Sequence, residues 1–113
     1  MTAAEVIACC RSLSEYSEAP DAITRTILSP PMRHVHALLG TLMQRLGMTV
    51  HVDAAGNLRG LYAGTRPQSG RWMIGSHLDT VRDAGAFDGI LGVVLGVAII
   101  SRLAGTSVTR SRR

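Results

Sequence analysis

The spacing of apolar positions changes twice along this chain, and each change marks a new kind of element. Val6, Cys9 or Cys10, Leu13 and Tyr16 recur at helical intervals, and Thr2 followed by Glu5 has capping-box spacing. This first helix should stop before Pro20, because the residue preceding a proline is biased away from helical dihedrals. Asp21 to Leu28 reads equally as a helical turn or a loop. Ser29-Pro30 then offers a cap and a proline at the first helical position. Val35, Leu38, Leu39, Leu42, Met43 and Leu46 form the stripe of a second helix, which Gly47 can end in a left-handed conformation.

Beyond Gly47 the period falls to two. Met48, Val50 and Val52 alternate with Thr49 and His51, as in a half-buried strand. Asp53, Gly56 and Asn57 have the chemistry of a turn, and Leu58 to Ala63 reads as the returning strand. Gly64 to Gly70, with Pro67, reads as a surface turn. Arg71 to Ser76 is expected to be the central strand of the sheet, and Gly89 to Leu103 a long helix. Gly92 and Gly96 lie four apart on that helix, where missing side chains permit close approach to the sheet. The expected order is α/β with an incomplete sheet and open strand edges.

Composition narrows the picture without deciding it. Among 113 residues, 46% are hydrophobic and 18% charged, which suits one folded core rather than a disordered chain. A core of that size leaves a thin stability margin. The net charge of +4 is scattered except at Arg110, Arg112 and Arg113, and aromatics are 4%, so no nucleic-acid platform is expected. Adjacent Cys9 and Cys10 read as a reduced, partly buried pair. The N-terminus lacks a signal-peptide pattern, and the longest apolar run, Gly89 to Ile100, is too short to span a bilayer. A cytoplasmic location, away from membranes, is the expectation.

Candidate chemistry gathers where Trp72-Met73-Ile74 runs into Gly75-Ser76-His77-Leu78-Asp79-Thr80. Open α/β sheets place their sites at the C-terminal ends of strands. On an extended segment His77 and Asp79 point the same way, so one can bind a metal while the other orients the imidazole. Asp88 follows across a loop containing Gly85, and its two oxygens suit a bridge between two ions. The competing reading has His77 and Asp79 pairing only to tie down a strand end. His34 and His36 do not share a helical face and read as surface or packing residues. Ser76 and Thr80 read as loop-fixing hydroxyls, not nucleophiles. Arg82 borders the loop, either solvated or facing an anionic substrate.

The joined run Gly75 to Val81 and Gly85 to Val93 resembles the metal-site signature of the M20-type amidohydrolases and peptidases. It resembles most closely the hydantoinase/carbamoylase branch, which contains allantoate amidohydrolase and N-carbamoyl-L-amino-acid hydrolase. Ser14-Glu15, Ile23-Thr24-Arg25, Leu28-Ser29-Pro30 and Leu46 to Asn57 are also similar to that branch, so the likeness covers about residues 5 to 104. The resemblance implies the N-terminal part of a zinc-exopeptidase-like α/β/α catalytic domain over residues 1–104, followed by a basic tail over 105–113. It implies His77 as a ligand of one metal, Asp79 as its orienting carboxylate, Asp88 as the ligand bridging two divalent ions (zinc or manganese), and Asp53, Gly56 and Asn57 as a structural turn. The implied reaction is hydrolysis of a non-peptide carbon–nitrogen bond in a small ureido or N-carbamoyl substrate, by a homodimeric parent enzyme.

The departure from the family is as informative. Its members continue for several hundred residues and there carry a Glu-Glu pair, further histidine ligands and a smaller domain. Ala104 to Arg113 contains neither Glu nor His. The resemblance therefore implies a truncated product or fragment with no catalytic residue of its own and no turnover alone. A non-catalytic α/β fragment that self-associates or binds a protein partner is the alternative.

Overall fold

A computed structural model describes residues 1–66 and 70–110. Pro67, at the expected surface turn, and Arg112 and Arg113, at the basic end, lie outside the described residues.

Helix α1, Ala3–Ser14, starts where its cap requires. The Thr2 hydroxyl accepts the Glu5 amide at 3.2 Å, and the Glu5 carboxylate accepts the Thr2 amide at 2.6 Å. Two of the helix's otherwise unpaired donors are thereby satisfied. Val6, Cys10 and Leu13 face the core, which resolves the cysteine choice in favour of Cys10; both thiols are free. Burial pushes the pKa of each upward. The stretch after α1 is not helical: Ser17 and Glu18 close a loop onto Ala22 and Thr24.

Helix α2, Pro30–Arg45, is capped by Ser29, and its buried stripe is Met32, Val35, Leu39 and Met43. It ends in a Schellman motif. Gly47 has φ +83°, its amide reaches the Gln44 carbonyl, and the Met48 amide reaches the Met43 carbonyl. Because Met48 is spent on that cap, strand β1 begins one residue later than the alternation implies, at Thr49–Val52.

Strand β2, Leu58–Leu61, pairs antiparallel with β1 in the register Thr49↔Leu61 to Val52↔Leu58. The turn between them is closed by Asp53, whose carboxylate accepts the amides of Ala55 and Asn57 at 3.0 Å each. Helix α2 lies on this hairpin closely. A side chain at Gly60 would come 2.9 Å from both the Met43 and Met48 sulfurs.

Helix α3 covers Ile90–Arg110. It continues past the Leu103 expected as its end, because Ala104 to Arg110 contains no proline, and Gly105 alone costs a helix only about 1 kcal/mol. Ile90, Val94 and Ala98 pack with Val6, Cys10 and Leu13 of α1 and Val35 and Leu39 of α2 in the main core. A smaller cluster joins Val97 to Met43 and Met48. No described helix is long and apolar enough to cross a membrane.

The architecture is α/β with an unclosed, two-stranded sheet. The expected central strand, 71–76, is the correction. It joins no ladder among the described residues, with Trp72 97% and Met73 87% exposed. A strand is defined by the main-chain partners it pairs with, and β1 and β2 pair with each other. The segment's apolar content is nevertheless used at one end. Ile74 and Ser76 lie over the glycine face of α3, where a Cβ on Gly96 would sit 3.2 Å from Ile74 and one on Gly92 2.7 Å from Ser76.

Candidate metal centre

The loop from Ser76 to Gly89 is fixed at both ends. The Ser76 hydroxyl donates to the Gly89 carbonyl at 2.9 Å. Further along, the Ala84 amide donates to the Ile23 carbonyl and the Asp83 amide to the Thr24 hydroxyl, at 2.8 and 3.0 Å. Gly89 then turns the chain into α3 with φ +66°. A side chain there would collide with the main-chain carbonyl and imidazole of His77. The ring therefore sits on a bare backbone, directly against the start of the helix.

His77 faces two carboxylates from opposite sides. Its Nδ1 is 3.5 Å from Asp79 Oδ1, and its Nε2 is 3.8 Å from Asp88 Oδ1. The nearest partner of Nδ1 is the main-chain carbonyl of Asp79, at 2.8 Å. A carbonyl oxygen can only accept, so this hydrogen bond requires the proton on Nδ1. Nε2 is then left with its lone pair toward Asp88, the state a metal ligand needs.

Two bonds of about 2.0–2.2 Å span the 3.8 Å between Nε2 and Asp88, so this pair fits a single divalent ion. Asp79 approaches the other nitrogen and cannot share that ion. Consistently, no group of three or more His, Cys, Asp or Glu able to hold a metal occurs among the described residues. A site with two protein ligands is incomplete, since zinc sites ordinarily take three or four.

The other sequence candidates stand apart from this pair. Asp53, Gly56 and Asn57 build the β1–β2 turn. Gly56 has φ +87°, and Asn57 and Asp53 bond through side chains as well as backbone. The Asn57 amides hold the Asp53 carboxyl below the usual carboxylate range. Arg82 is exposed on the loop. His34 stacks on Tyr16 at 5.6 Å, and burial lowers the pKa of His36.

Three features escaped the sequence. The acceptor that orients His77 is a carbonyl, which no side-chain pattern announces. Gly89 stands within the signature run, but nothing in that run announces that His77 packs on its bare backbone. Arg25, fully buried beneath the loop, entered the sequence only as part of the family-like stretch Ile23-Thr24-Arg25, with no role attached to it.

No family model matches. An N-carbamoyl-L-amino acid amidohydrolase of Geobacillus stearothermophilus is 38% identical over 92 residues, covering 80% of this chain and 22% of that protein. Allantoate deiminase 1 of Glycine max is 35% identical over 99 residues, covering 88% of this chain and 20% of the relative. The crystal structure of a hydantoinase/carbamoylase family amidase from Burkholderia ambifaria superposes with a TM-score of 0.86 at 30% identity, over 95% of this chain and 26% of that one. The chain belongs to the hydantoinase/carbamoylase family. It spans roughly a fifth of the length of the curated relatives it matches.

Proposed function

We propose that this chain supplies the His77–Asp88 part of a two-metal centre in an amidohydrolase. The enzyme would cleave a non-peptide carbon–nitrogen bond of a small ureido or N-carbamoyl substrate, with allantoate and N-carbamoyl-L-amino acids as the classes suggested by the relatives' names. The observation that carries the reading is the polarity of the imidazole: Nδ1 is held by the Asp79 carbonyl, and Nε2 is aimed at Asp88.

When bound, two zinc or manganese ions supply a water of lowered pKa and a Lewis acid for the carbonyl oxygen. The chain's own contribution is to present one neutral nitrogen and a carboxylate whose second oxygen is available for bridging. Asp79 keeps the imidazole in the correct tautomer, and Arg82 offers an exposed cation to an anionic substrate. Residues 1–104 form part of the catalytic domain in this reading, with 105–113 as a basic tail, in a cytoplasmic and homodimeric parent enzyme.

Hydrolysis also needs a base to take the proton of the attacking water. In the family resembled that base comes from a Glu-Glu pair, and this chain's glutamates, Glu5, Glu15 and Glu18, include no such pair. The 113-residue chain by itself is therefore expected to be inactive. Calorimetric titration with zinc or manganese should show weak binding that His77→Ala and Asp88→Ala each abolish; equal binding by all three proteins sinks the site. Metal-dependent hydrolysis of allantoate or an N-carbamoyl amino acid, lost in Asp88→Ala, would overturn the inactivity.

The exposed Trp72 and Met73 favour a second reading, a non-catalytic fragment that self-associates through this unmatched apolar surface. Sedimentation with and without zinc separates the two. A metal-independent oligomer supports self-association, and a monomer that compacts with metal supports the centre.

A further inference from the structure

Beneath the loop lies a charged side chain to which neither the proposed reaction nor the metal pair assigns a task. Arg25 has no exposed surface. Its Nη1 donates to the carbonyls of Leu13 and Tyr16, at 3.1 and 2.6 Å. These are at and just beyond the end of α1, where unpaired carbonyls and the helix dipole favour a cation. From that anchorage Nε donates to the Leu78 carbonyl at 2.9 Å. The backbone of Arg25 adds two more bonds: its amide donates to the Thr80 hydroxyl, and its carbonyl accepts the Thr80 amide, both at 2.9 Å.

These bonds fall on the two peptide groups that flank Asp79. The Leu78 carbonyl belongs to the peptide joining residues 78 and 79, and the Thr80 amide to the one joining 79 and 80. A trans peptide is planar, with its N–H and C=O pointing in opposite directions, and no cis bond occurs among the described residues. Fastening the Thr80 amide to Arg25 therefore turns the Asp79 carbonyl outward, and that carbonyl is the one 2.8 Å from His77 Nδ1. Fastening the Leu78 carbonyl removes the remaining freedom of the peptide before it.

We propose that Arg25 is the positioning residue of this centre: through Leu78 and Thr80 it aims the Asp79 carbonyl at His77 Nδ1, and so reserves Nε2 for the metal. The proposal rests on the reading of His77 as a ligand, but the tautomer it predicts exists without any metal. A lysine cannot replace the arginine here. One ammonium cannot span from the end of α1 to Leu78, whereas the planar guanidinium places Nε on one side and Nη1 on the other. Burial lowers the Arg25 pKa and the nearby Asp79 charge raises it. Nη2 has no hydrogen-bond partner among the described residues, so the bonds of the fork are those of Nε and Nη1.

The test is the tautomer of His77, read from imidazole nitrogen shifts of the labelled 113-residue chain at a pH where the ring is neutral. Wild type should show Nδ1–H. Arg25→Lys should shift His77 toward Nε2–H while amide spectra show α2 and the hairpin still folded. If Arg25→Lys unfolds, Arg25→Gln, whose amide can reach the end of α1 or Leu78 but not both, decides in the same way. A folded variant that keeps Nδ1–H, or a wild type already in the Nε2–H form, overturns the proposal, because a purely structural clasp would change stability and leave the tautomer alone. Zinc titration of the same samples should show affinity falling about 10- to 100-fold in the variants, as for other lost orienting partners. Failure of the wild type to bind zinc refutes the ligand reading separately, while the tautomer still decides the role of Arg25.

Discussion

Residues 29–61 and residues 70–89 are alike in hydrophobic content but are held in place by opposite means. In the first region, each element finds its partners nearby in sequence: Ser29 caps α2, Gly47 closes it, and β1 and β2 pair across a short turn. In the second, no regular element forms before α3, and the fastenings come from far away. The bonds from Thr24 and Arg25 to Leu78, Thr80 and Asp83 join residues 53 to 59 apart in sequence. The first region gains from burial, the second from a few polar bonds and two glycine contacts on α3. A metal site built in the second region is thus only as well ordered as those distant bonds make it.

The largest test of this contrast is in the core that anchors both regions. Leu39 is 1% exposed and contacts the cluster shared by α1, α2 and α3. Leu39→Ala should cost about 2–5 kcal/mol, enough to remove most of the cooperative urea transition of so small a domain. A loss under about 1 kcal/mol would mean that the three helices do not share one core.

Gly89→Ala should come next. The left-handed conformation alone costs a non-glycine residue about 1–2 kcal/mol, and the new methyl would meet His77. The two parts of that cost separate experimentally. Urea denaturation reads the backbone term, and zinc affinity reads the displacement of the imidazole. Unchanged zinc affinity in a destabilised Gly89→Ala protein would show that His77 does not depend on the bare backbone beneath it.

How far the sequence revealed these regions follows from the same contrast. The capping box at Thr2 and Glu5, the Gly47 terminator, the alternation of Met48 to Val52 and the Asp53–Asn57 turn are local devices, and each could be read from residues a few positions apart. The glycines at 92 and 96 also announced a close contact correctly, although its partner is an unladdered segment rather than a strand. Arg71 to Ser76 was misjudged because apolar content states a preference for burial, and a ladder needs a partner that composition cannot supply. At the site, period-two spacing brought His77 and Asp79 together, but the backbone's part was invisible: the carbonyl of Asp79, not its carboxylate, is the nearer acceptor. Arg25 was hidden for a related reason, since nothing local distinguishes a buried arginine that holds carbonyls from an exposed one.

A smaller effect should separate the regions by pH. The bonds of the β1–β2 turn depress the Asp53 pKa, chiefly through the Asn57 backbone amide. A carboxyl with a lowered folded-state pKa contributes stability above its unfolded value, near pH 4, and loses that contribution as pH falls through the folded value. Asp53→Asn should therefore be less stable than wild type at pH 7, with the difference in urea midpoint vanishing as the pH is taken well below 4. A difference that persists in acid would point to lost geometry at the turn rather than lost charge.

The smallest expected effect sharpens the comparison most, because it concerns the segment with the most apolar surface on view. Trp72 is 97% exposed and buries almost nothing against the other described residues. In the monomer Trp72→Ser should therefore change stability by no more than about 0.5 kcal/mol, as for other substitutions at uninvolved surface positions. The same change in Ile74, which meets the Gly96 face of α3, should cost measurably more. If Trp72→Ser destabilises at high protein concentration and not at low, the side chain is covered by a second molecule. This apolar surface would then be an interface, and segment 70–76 would acquire between chains the burial it lacks within one.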